Sequence, residues 1–406
     1  MFNNMFKNKS NNKLLFIKPI LFILIILILF IELIKIPFPK LLNITNSNLE
    51  NFHNNNNNNK INKDNINIHN INIHNNNIKL EQEMEFKKNE LNVLSSKDSK
   101  DIFYNNSYLN SMNDINIKAR GFTNLEEIVQ KYKNESIQDI TDEEQNALFW
   151  FIQNLIIKAD KLSPFIYNQL FNKNVMIAKS NPWLEHNMPH THKNVIILTQ
   201  NWFDGIVKKE KDNLVMSALN NEGSTFIHEL LHVHQRFNIK KYNKLYYKLG
   251  FVKPKYIHNS HNFIMKNRCN PDGNDLSWVW NYKKNNTYYM IGAIYKNNNP
   301  TNIVDVSYIS REITRSDKNI FNYSNIKEDV PLYNNDAFRE YFNIFNNHYH
   351  PNEIASQYME FYFNKILDNN DDDDDDDNSQ GYKIFNKEID KILYGKQINI
   401  KKNKLL

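Results

Sequence analysis

An α+β domain, mainly helical with a small β-sheet, is the fold class this chain predicts, and three observations predict it. Apolar residues recur at helical spacing in Thr141–Leu162, Asn220–Phe237 and Pro351–Leu367. One short β-rich run, Asn194–Phe203, stands among them. Outside residues 115–367 this periodicity fades, with asparagine dominating before it and aspartate after it.

The 406 residues include 26 Phe and 21 Tyr, enough aromatic bulk to fill a real core inside otherwise low-complexity sequence. The net charge of +5 is spread over scattered lysines, with no basic stripe interleaved with aromatics, so no nucleic-acid partner is expected. Cys269 is the one cysteine, which rules out an intrachain disulfide and a Cys-rich secreted scaffold.

Residues 1–40 hold an uninterrupted apolar run, Ile20 to Ile31, within a longer stretch from Leu14 to Ile36. The longer stretch is sufficient to cross a bilayer, and Lys7, Lys9 and Lys13 ahead of it favour a cytoplasmic N-terminus. No Ala or Gly precedes Ala119, so the small residues of a cleavage site are missing. The expectation is an uncleaved signal anchor, single-pass type II or otherwise secretory, with the rest of the chain lumenal or extracellular and the membrane as one partner.

Residues 41–114 read as an Asn-rich disordered stalk, because the tract cannot bury enough apolar surface to offset its ordering entropy. Its His69 and His74 fall in a near-repeat and read as composition. The domain proper is expected over 115–367. In it, Thr141 is a good N-cap for an amphipathic helix with acids in its first turn. Asn194–Phe203 reads as a strand, and a helix opens at Gly223 or Ser224. Asp336–Tyr349 and Pro351–Leu367 read as two further helices. A Pro-Asp-Gly turn at Pro271–Gly273 leads into an aromatic strand, where Trp278 and Trp280 alternate and either line a pocket or pack, packing being the favoured reading. Residues 368–406, with the run Asp371–Asp377, read as a solvated insertion and C-terminal tail.

The chemistry concentrates in His228-Glu229-Leu230-Leu231-His232. On a helix, positions i and i+4 share a face, so both imidazoles can reach one metal, and zinc suits them. Glu229 then lies beside the metal, placed to act as general base toward a zinc-activated water. Ile227, Leu230 and Leu231 fall on the opposite side, free to enter a core.

At this motif the chain resembles the zincin metallopeptidases, and the preceding Gly-Ser-Thr-Phe-Ile is similar to their helix entry. The resemblance implies a zincin-like, mainly helical domain whose small sheet has an edge strand ahead of the H-E-x-x-H helix. It also implies hydrolysis of peptide bonds in a peptide or protein substrate, with Zn2+ as cofactor. The metzincin extension would need glycine and histidine where the chain has Gln235 and Asn238, so that branch is set aside. The gluzincin alternative takes a glutamate from a later helix. Glu353, in Asn-Glu-x-x-Ser from Asn352 to Ser356, resembles that third ligand, with Glu360 in reserve. His234 points off the ligand face.

The same resemblance makes Asn194–Gln200 the edge strand, where an extended peptide would gain main-chain hydrogen bonds. His186, His190 and His192 ahead of it, and His348, His350 and Tyr358 near Glu353, are candidates for binding substrate or an oxyanion. A zincin-like interaction or structural module on the membrane, without peptidase activity, is the alternative reading; the presence of Glu229 weighs against it.

Overall fold

The computed structural model describes residues 90–395, apart from residues 105, 274–277, 324–326, 344–348 and 369–378. The expected signal anchor, the Asn-rich stretch up to residue 89, the seven-Asp run and His348 lie outside the described residues. No described helix is long and apolar enough to cross a membrane.

The folded unit begins earlier than the periodicity suggests. Ile102, Phe103, Tyr108, Leu109 and Met112 are buried against Ile128 and Tyr132 of helix α1 (Leu125–Glu135) and against Ile197 of the first sheet. Residues 90–114 therefore carry enough large apolar side chains to join a core despite their asparagines. Helix α2 (Asp142–Lys158) starts at the Thr141–Glu144 capping box, with Leu148, Phe151, Ile152 and Leu155 fully buried.

The first sheet has the order β1-β2-β4-β3, from strands β1 (Ile137–Gln138), β2 (Met176–Ser180), β3 (His190–His192) and β4 (Val195–Leu198). The strand expected over Asn194–Phe203 is shorter and sits elsewhere in the sheet. It stops at Leu198 because the Thr199 side chain accepts a hydrogen bond from the Trp202 N–H and caps helix α3 (Gln200–Lys211). β4 pairs on both sides, parallel with β2 and antiparallel with β3. The edge strands are β1 and β3, and β3, next to β4, carries His190 and His192 on one face and Thr191 on the other.

Helix α4 (Ser224–Phe237) carries the H-E-x-x-H motif. It does not open at Gly223: that residue is itself helical, and a π-turn over Leu219–Gly223 runs into α4 from a preceding helical turn. Phe226, Ile227, Leu230, Leu231 and Val233 are fully buried. Helix α5 (Ile239–Lys248) follows.

A second, larger sheet has seven strands: β5 (Phe251–Val252), β6 (Tyr256–His258), β7 (Val279–Tyr282), β8 (Thr287–Tyr295), β9 (Val306–Asp317), β10 (Ile320–Tyr323) and β11 (Val330–Pro331). Its order is β5-β7-β8-β9-β10-β6, with β11 paired to β9. The expectation of a small sheet thus understates the strand content.

Helix α6 (Asp336–Phe342) ends on the left-handed Asn343. Helix α7 (Pro351–Asp368) starts at the proline and packs along α4. Gly223 lets the two helices close up, since a Cβ there would stand 3.1 Å from the Phe363 ring. Helix α8 (Gln380–Tyr394) buries Tyr382, Phe385 and Ile389 against α5, α6 and α7. Residues 380–394 are therefore an amphipathic helix of the domain, not a tail.

Candidate metal centre

α4 and α7 bring three ligand-type atoms together. His228 Nε2 and His232 Nε2 lie 3.0 Å apart, and Glu353 Oε2 is 3.5 Å from each. A tetrahedral ion with bonds of 2.0–2.1 Å has ligands about 3.3 Å apart, so this triangle has the size one zinc needs. The outer nitrogens fix the inner ones. His228 Nδ1–H donates to Glu360 Oε1 at 2.5 Å, and His232 Nδ1–H donates to Gln235 Oε1 at 3.0 Å. In neutral rings both Nε2 atoms then present lone pairs to one point. At 3.0 Å such lone pairs repel, and either a shared proton or a cation relieves the conflict; burial alone would lower both histidines, but the facing carboxylates of Glu353 and Glu360 raise His228, and those of Glu353 and Asp272 raise His232, above the usual range when no metal is bound. The remaining oxygen of Glu353 accepts from Asn270 Nδ2 at 2.7 Å, and Gln235 Nε2 donates to the Asn352 carbonyl at 3.0 Å. The donor set, its dimensions and this outer shell fit zinc.

Glu229 stands next to the triangle. Its carboxylate, the His232 ring and the Asp272 carboxylate have atoms within 4.8 Å of one another. Glu229 Oε2 is buried without a hydrogen-bond partner among the described residues. Burial, reinforced by the nearby Asp272 charge, pushes its pKa up to about 8 in the metal-free protein. A bound cation would pull it back down, so the group is strained toward whatever positive charge or proton reaches it. For Glu353, burial alone would raise the carboxyl, but the facing His232 and His228 hold it well below the ordinary range.

These groups open onto one cavity of about 340 Å3, lined also by His190, Arg268 and the Asn270–Asp272 turn. His190 is buried, and its Nδ1–H donates to the Met188 carbonyl at 2.8 Å. Its Nε2 is buried with no hydrogen-bond partner among the described residues. In the neutral ring that atom is an acceptor, suited to a substrate N–H; it would stabilise an oxyanion only as imidazolium.

The other candidates lie elsewhere. His192 packs between Phe103 and Tyr108, where burial first and the His190 charge second hold it well below the usual histidine range; it is not among the residues lining this cavity. His350 bonds Asn352 Oδ1 at the start of α7 and does not line the cavity. Tyr358 donates to the Phe342 carbonyl at 2.8 Å and faces α8. His186 contacts Asn302 on another crevice. His234 pairs with Tyr242 in the core. Glu360 is an outer partner of His228 instead of a ligand.

Three features were missed from sequence. Gln235, noted only as a failed glycine, orients His232. Asn270 braces Glu353. Asp272 accepts from the Thr191 N–H and Oγ, both at 2.7 Å, which fills the outer edge of β3. Gly273 lets this turn press on α7, since a Cβ there would sit 2.6 Å from Asn352 Nδ2. An extended peptide therefore cannot pair at Thr191 while Asp272 is there. The Asn-Pro-Asp-Gly string signals a turn, and nothing local to it reveals what the turn touches.

The outer shell predicts a graded effect. Glu360→Gln keeps a hydrogen-bond acceptor but removes the charge facing His228 Nδ1, and should weaken zinc binding about 10- to 100-fold. Competition against a chelating dye, with wild-type protein alongside, measures this. No family model, curated protein or solved structure matches the chain.

Proposed function

We propose that the protein is a zinc-dependent metallopeptidase that hydrolyses peptide bonds. The observation that carries this reading is the convergence of His228, His232 and Glu353 at zinc-sized separations, beside a buried carboxylate, Glu229, that has an unpartnered oxygen.

Zinc held by these three residues would act as a Lewis acid and lower the pKa of a water toward neutrality. Glu229 would take the proton from the attacking water and hand it to the departing amine. Glu360 and Gln235 keep the two imidazoles turned inward through that transfer. His190 Nε2 would accept a main-chain N–H of the substrate from the other wall of the cavity.

Metal analysis of the purified full-length protein tests the reading. One zinc per chain is expected, lost in the double variant His228→Ala/His232→Ala. Hydrolysis of a mixed peptide library should track zinc content through chelation and add-back. A protein that binds no zinc, or that binds it and cleaves no peptide under any condition, would end this reading. The latter result would leave the non-enzymatic zinc module.

A further inference from the structure

Among the described residues, Arg268 is the one cation on the cavity wall other than the histidines, and no described acid pairs with it. The residue is only 9% exposed. Its guanidinium carbon lies 5.9 Å from the Tyr308 ring and 5.7 Å from the Tyr349 ring, in cation–π range of both. No carboxylate among the described residues forms an ion pair with it, although five acids line the same cavity. Four of those acids are committed to other partners: Glu185 to Arg120, Glu360 to His228, Glu353 to the histidines and Asn270, and Asp272 to Thr191. The fifth, Glu229, sits by the metal triangle. Burial pushes the Tyr349 hydroxyl up to about 12, so that neighbour is neutral and offers no counter-charge.

Leaving a guanidinium buried without an anion is unfavourable, and arginine is the side chain whose planar fork best matches a carboxylate. The backbone holds it in place: the Arg268 N–H donates to the Ala293 carbonyl of β8 at 2.8 Å, and Asn267 Nδ2 donates to the Arg268 carbonyl at 2.9 Å. Two residues on, Asn270 binds Glu353, so the same segment ties this cation to the metal triangle.

We propose that Arg268 anchors a substrate carboxylate in the cavity. Two further observations favour the C-terminal α-carboxylate of a peptide. The cavity formed by the described residues has the volume of a small-molecule site, about 340 Å3. The edge of β3, which an internal stretch of peptide would need, is filled at Thr191 by Asp272. The site thus selects peptide ends, or an acidic side chain close to the scissile bond. The naming of a peptide substrate rests on the metallopeptidase reading; the carboxylate anchor does not.

The test is binding, by calorimetry on full-length protein, first freed of zinc and then loaded with it. The probes are N-acetylphenylalanine and its carboxamide, and N-acetylaspartic acid amide and N-acetylasparagine amide. The zinc-free wild type should bind at least one free acid about tenfold or more tighter than its amide. In Arg268→Met, whose stem keeps the packing between the tyrosines, that preference should fall to within about twofold. Preference for N-acetylphenylalanine identifies the α-carboxylate, and preference for the aspartyl probe identifies a side chain. Equal binding of acids and amides by the wild type overturns the inference without any variant. So does an acid preference that appears only with zinc or survives in Arg268→Met, because the carboxylate is then held by the metal. Absence of peptide hydrolysis alongside an Arg268-dependent acid preference would remove the peptidase reading and leave the anchor standing.

Discussion

On the proposed mechanism, Glu229→Gln should lower kcat by about 10²- to 10⁴-fold while zinc binding is kept. That range corresponds to roughly 3–5 kcal/mol of barrier. Glutamine has the shape of glutamate but cannot take a proton from water at neutral pH. None of the three ligand atoms belongs to residue 229, so metal affinity should change far less than turnover. A second outcome separates this role from a structural one. In the metal-free protein Glu229 is buried beside Asp272, with an oxygen lacking any partner among the described residues. With a folded pKa of about 8 against 4.5 unfolded, that carboxyl must take up a proton on folding at pH 7, which costs stability, so the melting temperature of the zinc-free variant with its neutral amide should hold or rise. Zinc content, single-substrate kinetics and calorimetry on the same preparations check all three points. Turnover equal to wild type would remove Glu229 from the chemistry, and loss of zinc with loss of turnover would make it a ligand-shell residue instead.

The adjacency of His228 and His232 was legible in sequence because helical geometry fixes i and i+4 on one face. The start of α7 was legible because Pro351 fits a first helical turn and cannot sit in a helix interior. The second sheet was not. β8, Thr-Tyr-Tyr-Met-Ile-Gly-Ala-Ile-Tyr, alternates buried and half-buried side chains, but its bounding turns are written in asparagine. Asn286 and Asn319 adopt left-handed φ values of 55° and 60° at the hairpins on either side of this region, as do Asn174, Asn213, Asn259 and Asn343 elsewhere. With only 8 Gly in the chain, asparagine does the work of the usual turn residue. Against a background already full of asparagine those turns give no signal. Ligand-type residues on two helices could be matched by motif. Of the groups that orient them, Gln235 stands one helical turn from His232 on α4, whereas Glu360 reaches His228 and Asn270 reaches Glu353 only through the tertiary fold.

Arg120→Met should destabilise the domain by about 3–5 kcal/mol, through a buried ion pair that no sequence pattern suggested. Arg120 donates from Nε to Glu185 Oε1 at 3.1 Å and from Nη2 to Oε2 at 2.9 Å, with both side chains 3% exposed. Tyr108 and Tyr132 also donate to Oε1, at 2.7 and 2.5 Å. The pair matters to the cavity in two ways. Glu185, His186 and Asn187 all have left-handed φ, of 43°, 56° and 56°, a run that side-chain-bearing residues adopt only under constraint, and it feeds directly into Met188, Pro189 and edge strand β3. Arg120 Nη2 also donates to the Cys269 carbonyl at 3.1 Å, which holds the segment carrying Arg268 and Asn270. Loss of the guanidinium leaves a buried carboxylate and releases both walls. The pH dependence has a definite sign. Burial alone would raise the Glu185 carboxyl, but the Arg120 charge and its hydrogen bonds outweigh burial and bring it from 4.5 down to about 2. A folded-state acid held below its unfolded value contributes stability above that unfolded value, and loses it as pH falls through the folded one. The window is therefore pH 4.5 down to about 2, and the contribution lost across it is roughly 3 kcal/mol. Urea midpoints at pH 7, 4.5 and 3 should fall steeply for wild type. They should fall more gently for Arg120→Met/Glu185→Leu, which leaves neither charge buried alone and should regain part of the stability lost in the single variant. Parallel acid dependence in wild type and double variant would show that other carboxylates, not this pair, set the acid limit.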